Sequence, residues 1–391
     1  MRLGDCGKTN LHTYSDKEKW SLIRYLDTGS ITEGRIDEIQ TLYPGVDKIP
    51  SRARRKASVG DILFSTVRPN QKHYGIIEAG TENLLVSTGF TVVTVDTTIA
   101  DPYFIYYYLT QSSVIESLQA IAEQSTSTYP SIKPSDIEDI ELDLPELETQ
   151  KKIGSTLRML DRKIALNEEI NDNLEQQAQS YFQELFVDNA DPEWAIGTIS
   201  DLGTVVGGST PSKAKPEYYT ESGIAWITPK DLSINKSKFV SHGENDITEL
   251  GLKNSSAAIM PRGTVLFSSR APIGYIAIAA GEVTTNQGFK SVVPKPEIGT
   301  PFVYFFLKNT LPVIEGMASG STFKEVSGST MKNVPAVIPD VETLAKFSDF
   351  CAPIFAQQRI LEEQNQSLAT LRDNLLPKLM SGEIDVSAVQ L

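Results

Sequence analysis

The sequence is written twice, in the same order. The string Gly60-Asp61-Ile62-Leu63-Phe64-Ser65-Thr66-Val67-Arg68-Pro69 returns as Gly263-Thr264-Val265-Leu266-Phe267-Ser268-Ser269-Arg270-Ala271-Pro272. Thr88-Gly89-Phe90 matches Gln287-Gly288-Phe289, and Pro102 with Tyr106-Tyr107-Tyr108-Leu109 matches Pro301 with Tyr304-Phe305-Phe306-Leu307. Leu144-Pro145-Glu146-Leu147-Glu148-Thr149 aligns with Ile338-Pro339-Asp340-Val341-Glu342-Thr343 and continues without a gap to Leu174 against Leu368. The offset between copies drifts from 203 to 194, as insertions in surface loops produce. A repeat of this length requires two copies of one globular module, each followed by the same kind of tail.

The modules read as mixed α/β. Val59 to Thr66 and Val86 to Val95 are rich in β-branched and aromatic residues and bounded by glycine, as are Thr264 to Ser268 and Ile273 to Ala279, which predicts strands. A helix is expected to begin at Asp101-Pro102 and at Thr300-Pro301, where a side-chain oxygen can cap and a proline at the first position loses nothing. The tyrosine and phenylalanine runs inside those helices have apolar neighbours and read as core.

The tails carry the clearest periodicity. Ile153, Leu157, Leu160, Ile164, Asn167, Asn171, Leu174, Ala178, Tyr181 and Leu185 alternate spacings of four and three, the seam of a coiled coil. Shifting by 194 gives Phe347, Cys351, Ile354, Gln358, Leu361, Asn365, Leu368, Arg372, Leu375 and Leu379. The expected architecture is therefore α+β with a pseudo-two-fold repeat: modules at residues 1–145 and 192–340, helical spacers at 146–187 and 341–379, and a tail at 380–391. The helices are expected to pair antiparallel, with Asn171 and Asn365 near their crossing and Leu160, Leu174, Ile354 and Leu368 along the seam. An asparagine in such a seam lowers stability and favours the register in which it pairs. A 40-residue helix is about 60 Å long, enough to let two heads address two stretches of duplex DNA about one helical turn or more apart.

The net charge of -14 at first argues against nucleic acid. Ten of the fourteen surplus acids, however, lie in residues 141–191 and 341–391, so the modules themselves are near neutral. Cys6 and Cys351 stand alone, with no disulfide framework or zinc spacing around them. With no run of eighteen apolar residues and no apolar N-terminal stretch, the chain reads as cytoplasmic and without a membrane partner.

Several motifs together resemble the specificity subunits of type I restriction-modification systems. They are Trp226-Ile227-Thr228-Pro229-Lys230-Asp231-Leu232, Gly263 to Ile273 followed by Gly274-Tyr275, Thr285-Asn286-Gln287-Gly288-Phe289, and Leu375-Leu376-Pro377-Lys378-Leu379-Met380-Ser381-Gly382-Glu383-Ile384. The first module departs from the pattern, with Tyr25-Leu26-Asp27-Thr28-Gly29 in place of Trp226 to Lys230 and Ser87-Thr88 in place of Asn286-Gln287. The resemblance implies two target-recognition domains that bind a bipartite, asymmetric site on double-stranded DNA. It also implies two adenine methyltransferase subunits docked on the helices and, through them, two restriction motor-nuclease subunits. S-adenosylmethionine, ATP and magnesium are then expected on those partners, with no cofactor or metal in this chain. A B-type recognition subunit of a related restriction-methylation enzyme, a self-sufficient DNA-modifying enzyme with an unrecognised motif, and a protein-binding coiled-coil scaffold are the alternatives.

No catalytic string accompanies the repeat. There is no Pro-Pro pair for an adenine-methyltransferase loop, no Walker A string and no G-x-S-x-G, while His12, His73 and His242 show no pairing with a nucleophile or metal ligands at useful spacing and read as ordinary polar residues. The candidate DNA contacts are basic or amide-bearing. Arg52, Arg54, Arg55 and Lys56 form the densest basic cluster, either a loop that grips phosphates or a solvated turn. Arg68, Asn70, Gln71, Lys72 and His73 follow the repeated strand and carry groups able to pair with base edges. In the second module Arg270 takes the place nearest Arg68, with Lys230, Lys236, Lys238 and Lys290 as further donors. Lys213 and Lys215 flank the loop Gly207-Gly208-Ser209-Thr210-Pro211-Ser212, small enough for backbone to approach a phosphate or simply mobile. The matched loops Ser125 to Tyr129 and Ser319 to Lys324 offer hydroxyls, an aromatic and a lysine, for DNA backbone or for a turn.

Overall fold

The computed structural model describes residues 1–15, 17–80, 82–124, 130–320 and 324–386. The loop at residues 125–129 and Ser321 to Phe323 of its counterpart lie outside the described residues. The chain forms two compact units: Met1–Ile164 together with the residues from Ser367 onward, and Ala165–Gln366. Each unit therefore owns one module and a stretch of each long helix, rather than one module and one whole helix.

In the first unit, a four-stranded antiparallel sheet runs in the order Gly7–Thr9, Phe90–Val95, Ile62–Ser65, Tyr74–Ile76. A second four-stranded sheet runs Gln40–Leu42, Ile23–Leu26, Leu84–Ser87, Ala53–Lys56, with its central pair parallel. The single strand expected from Val86 to Val95 is two, because the chain turns at Thr88-Gly89, where the Gly89 carbonyl accepts from Thr66 N at 2.8 Å. The helix Pro102–Leu109 starts as the sequence requires, with the Asp101 carboxylate accepting from Phe104 N at 2.9 Å. Its Phe104, Ile105, Tyr106 and Tyr107 are buried with Ile62, Phe64 and Tyr74, and with Ile153, Leu157, Leu376 and Leu379 of the two long helices.

The second unit repeats the plan with a five-stranded sheet, Gly203–Gly207, Lys290–Pro294, Val265–Ser269, Ile273–Ala279, Phe239–Val240, and a parallel pair, Trp226–Ile227 with Thr284–Thr285. The repeated glycines Gly60 and Gly263 share φ near +88° and +87°, a conformation that favours glycine. The helix Thr300–Met317 differs at its start: Gly299 takes the capping position, and the Thr300 hydroxyl donates instead to the Gly263 carbonyl at 2.8 Å. Its Phe302, Val303, Tyr304, Phe305 and Phe306 pack with Phe182 of the first long helix and Phe347 and Phe355 of the second.

The first long helix is Leu147–Gln183, ending in a π-helical turn at Glu184–Asp188, and the second is Val341–Met380. Within the second unit they run antiparallel. Asn167 Nδ2 donates to Asn365 Oδ1 at 2.8 Å, Gln358 Nε2 to the Asn171 carbonyl at 3.1 Å, and Tyr181 lies against Phe347 and Phe350. The amide that pairs with Asn365 is thus Asn167, one turn before Asn171. Ala178, Phe347, Cys351, Ile354 and Leu361 of the seam are buried, and Leu174 is partly so. In the first unit Arg372 reaches Asp161 at 2.7 Å, Tyr107 donates to the same carboxylate at 2.6 Å, and Leu160 and Leu368 are half-buried. Both cysteines are buried, which pushes the Cys351 thiol up to about 12. No helix among the described residues is long and apolar enough to cross a membrane.

Candidate nucleic-acid interface

In the second module the motif loops converge. The parallel pairing of Trp226–Ile227 with Thr284–Thr285 brings the chain that leaves each strand to one place, and Asn286 N donates to the Ile227 carbonyl at 3.0 Å. From the glycine-rich loop, Ser209 N donates to the Thr285 carbonyl at 2.8 Å, while Trp226 Nε1 donates to the Ser209 carbonyl at 3.0 Å. Gly208 fits here because it has no side chain: a Cβ would lie 1.9 Å from the Asn286 carbonyl oxygen. The Thr210 hydroxyl donates to Gln287, Asn286 Oδ1 accepts from Gly288 N, and the Tyr219 hydroxyl donates to the Pro211 carbonyl at 2.6 Å. The loop is therefore braced on several sides, which sets it apart from a mobile linker.

Asp231 holds the other flank. Its buried carboxylate accepts from Thr228 N at 2.7 Å, Thr228 Oγ1 at 2.6 Å and Glu244 N at 2.8 Å, closing the short helix Pro229–Ile234 at its start. The loop at 241–246 is thereby fastened to the Trp226 to Leu232 motif. Beside them, Ser269 N donates to the Gly288 carbonyl at 2.7 Å, and Arg270 follows directly. Glu325 lies 3.8 Å from the Arg270 guanidinium and 3.7 Å from the Lys290 ammonium. Lys290 also donates to the Gln287 carbonyl at 3.3 Å. Arg270, Lys290, Gln287 and Thr210 are thus brought together, and Lys324 is exposed one residue before Glu325.

The remaining lysines differ in what they meet. Lys213 is exposed, Lys215 is 3.6 Å from Glu217, and Lys230 is 2.6 Å from Glu244 on the surface. Lys236 lies over the Tyr275 ring at 5.0 Å. Lys238 needs correction as a candidate DNA contact, since only 8% of it is exposed. Its ammonium pairs with Glu175, donates to Gln358 Oε1 at 2.6 Å and sits 4.2 Å from the centre of the Phe355 ring. Neither lysine lies on a strand: Lys238 directly precedes Phe239–Val240, and the Glu362 carboxylate of the second long helix accepts from the backbone N of both Lys238 and Phe239, which holds this point of the chain against the long helices.

The first module uses the same frame with other side chains. The parallel ladder sets Tyr25 and Leu26 opposite Leu85 and Val86, the rung that Trp226 and Ile227 take in the second module. Burial pushes the Tyr25 phenol up to about 12, and its hydroxyl donates to Asp27 at 2.7 Å. The cluster Arg54, Arg55 and Lys56 lies on a strand rather than in a loop or turn, paired to Leu84–Ser87, with Arg52 exposed just before it. Burial lowers the Arg55 guanidinium, and Lys56 is held by Glu18 and lies over the Trp20 ring at 5.2 Å. Arg68 has a left-handed backbone, φ 47°, as has Ala271 at φ 44°, each directly before the repeated proline. Val67 therefore corresponds to Arg270, which stands one place earlier than Arg68. Asn70 N donates to Gln119 at 3.3 Å, Lys72 meets Glu33 at 2.5 Å, and His73 Nδ1 faces the Ile31 carbonyl at 2.7 Å.

Sequence reasoning missed the carboxylates that organise this surface. Asp231 carried a capping-box signal in Thr228-Pro229-Lys230-Asp231. Glu325 and Glu175 carried none, because their partners come from distant parts of the chain. Among the described residues no group of three or more His, Cys, Asp or Glu could hold a metal ion.

Duplicated modules, each closed by a long helix and each presenting braced loops with arginine, lysine and amide groups, define a two-module recognition protein. The chain belongs to the type I restriction-modification DNA specificity family, whose domain matches residues 53–176 and 192–371. It is 25% identical to the type I restriction enzyme HindI specificity subunit of Haemophilus influenzae over 98% of both chains. It is 39% identical to the MjaIX specificity subunit of Methanocaldococcus jannaschii over 47% of this chain and 45% of that one. Its fold matches the crystal structure of the type I restriction-modification S subunit from M. genitalium with a TM-score of 0.57 and 17% identity, over 97% of this chain and 95% of that one. As a specificity subunit it is non-catalytic, and the chemistry belongs to the subunits it assembles with.

Proposed function

We propose that this cytoplasmic chain reads a bipartite, asymmetric DNA target, one half-site per module. One observation carries this reading: the same rung of the same parallel ladder bears Tyr25-Leu26-Asp27-Thr28-Gly29 in the first module and Trp226-Ile227-Thr228-Pro229-Lys230 in the second. A shared frame with unlike loops supports two readers of unlike sequence. The paired long helices, with Ala178, Phe347, Cys351, Ile354 and Leu361 of the seam buried, support a spacer that docks two adenine methyltransferase subunits and, through them, two motor-nuclease subunits. S-adenosylmethionine, ATP and magnesium would be held by those partners. Arg68, Asn70 and Lys72 in one module, and Arg270, Lys290, Lys230, Lys236, Lys213, Lys215 and Lys324 in the other, are the proposed DNA contacts, with Arg52, Arg54, Arg55 and Lys56 on the backbone side.

The test is methylome sequencing of cells that carry the chain with its methyltransferase partner. Two different half-sites separated by an unread spacer are expected. A continuous or palindromic site, or no site at all, refutes the proposal.

A further inference from the structure

His242 is the one imidazole in the second module, and the structure has fixed its orientation. The ring is 62% exposed, whereas the Asp246 carboxylate behind it is 3% exposed and lies 3.2 Å from Nδ1 through each oxygen. Asp246 is itself tied down: it accepts from Gly223 N at 2.9 Å and sits on the strand paired with Tyr219–Thr220. The loop that carries the ring is locked to the motif loops. Glu244 N donates to Asp231, and Gly243 packs so closely that a Cβ would lie 2.7 Å from the Trp226 carbonyl oxygen. An acid placed in this way keeps the proton of the neutral ring on Nδ1 and leaves the Nε2 lone pair facing outward. An outward acceptor on a braced loop complements the exocyclic amino group of adenine or cytosine in the major groove.

We propose that His242 is a base-reading residue of the second module, positioned by Asp246, with Nε2 accepting a hydrogen bond from a base amino group. This rests on the reading that the second module meets DNA through its convergent loops. A buried carboxylate behind an exposed ring distinguishes His242 from a solvated histidine, whose two nitrogens would be free to turn.

The experiment compares the complex of this chain and its methyltransferase partner carrying His242→Phe, which keeps a ring but no acceptor, with the unmodified complex on a randomised DNA library. Discrimination at one base pair of one half-site is expected to fall about 5- to 100-fold, with the other half-site unchanged. Asp246→Asn should relax the same base pair, less severely, because the ring is still present but is no longer fixed in one tautomer. Uniform weakening on all sequences, with a shallower dependence on salt, would mean a phosphate contact and would overturn the assignment. An unchanged profile would overturn it too. Arg270→Ala, run in parallel, separates the two levels. If it shifts the profile while His242→Phe does not, only the histidine is wrong. If neither has an effect, the face is wrong.

Discussion

The joint between the second module and the long helices is the place where a single substitution has a calculable cost. Glu175 is shared by two ammonium groups, those of Lys238 and of Lys308, the latter at 2.5 Å, and it accepts from the Tyr304 hydroxyl at 3.2 Å. Lys238 in turn touches Gln358 and the Phe355 ring, and Glu362 accepts from the backbone N of Lys238 and Phe239 at 2.7 and 3.1 Å. Removing one member of a buried ion pair costs about 3–5 kcal/mol when the other charge is left bare. Lys238→Met leaves Glu175 with Lys308 and Tyr304, so the cost should fall below that range, to about 2 kcal/mol. Glu175→Gln takes from the buried Lys238 ammonium its direct carboxylate partner, leaving neutral amides and aromatic rings in contact with it, so it should cost more, about 3–5 kcal/mol. Replacing the pair together, Lys238→Met with Glu175→Leu, should recover part of the Glu175→Gln loss, because no buried ammonium is left bare at position 238, although the Tyr304 hydroxyl and the Lys308 ammonium still lose their acceptor. Urea unfolding, with hydrogen exchange of the amides at 235–240 as the local probe, measures all three. The reasoning fails if Glu175→Gln costs less than Lys238→Met, or if the double variant is worse than Glu175→Gln.

Four further outcomes follow from the same contacts. Burial works to raise the Glu175 carboxyl, but the two lysines outweigh it and hold it below the usual carboxylate range. The stability it provides is therefore complete above the ordinary value near 4.3 and is lost as pH falls through the depressed one, so unfolding curves of the wild type and Glu175→Gln should converge below about pH 4. Asn167→Leu with Asn365→Leu should raise the melting temperature while weakening the register, seen as heterogeneity in cross-links engineered across the helices. Gly208→Ala forces a methyl to within 1.9 Å of a carbonyl oxygen and should open the glycine-rich loop to protease, with loss of DNA binding by the second module alone. The affinity of the assembled complex for DNA should fall log-linearly with salt, and Lys213→Ala should reduce that slope by about one; a salt-independent affinity would count against phosphate contacts.

The architecture was legible because it is written in periodicity. A heptad seam that recurs at an offset of 194 admits little besides paired helices, since only one face of each can be buried. The duplicated Gly60 and Gly263 strings told where equivalent strands lie, and Pro102 and Pro301, at the first and second helical positions, marked to within a residue where helices begin. Side-chain destinations were less legible. Lys236 and Lys238 look alike in a sequence, yet one lies over Tyr275 at the surface and the other is sunk against Glu175 and Phe355. Arg54, Arg55 and Lys56 read as an open cluster and form part of a sheet, where alternation gives neighbours different surroundings.

What the sequence determined by itself was the repeat, the helical seam and the unlike loops at like positions, because these rest on local spacing and on which residue types can share a face. What only the tertiary structure decided was which charges are available to a ligand. Asn167 rather than Asn171 meets Asn365, Glu325 stands between Arg270 and Lys290, and Asp246 fixes His242. Glu325, like Glu175, meets partners from distant parts of the chain, and electrostatic pairing depends on separation in space, which a linear order of residues does not carry.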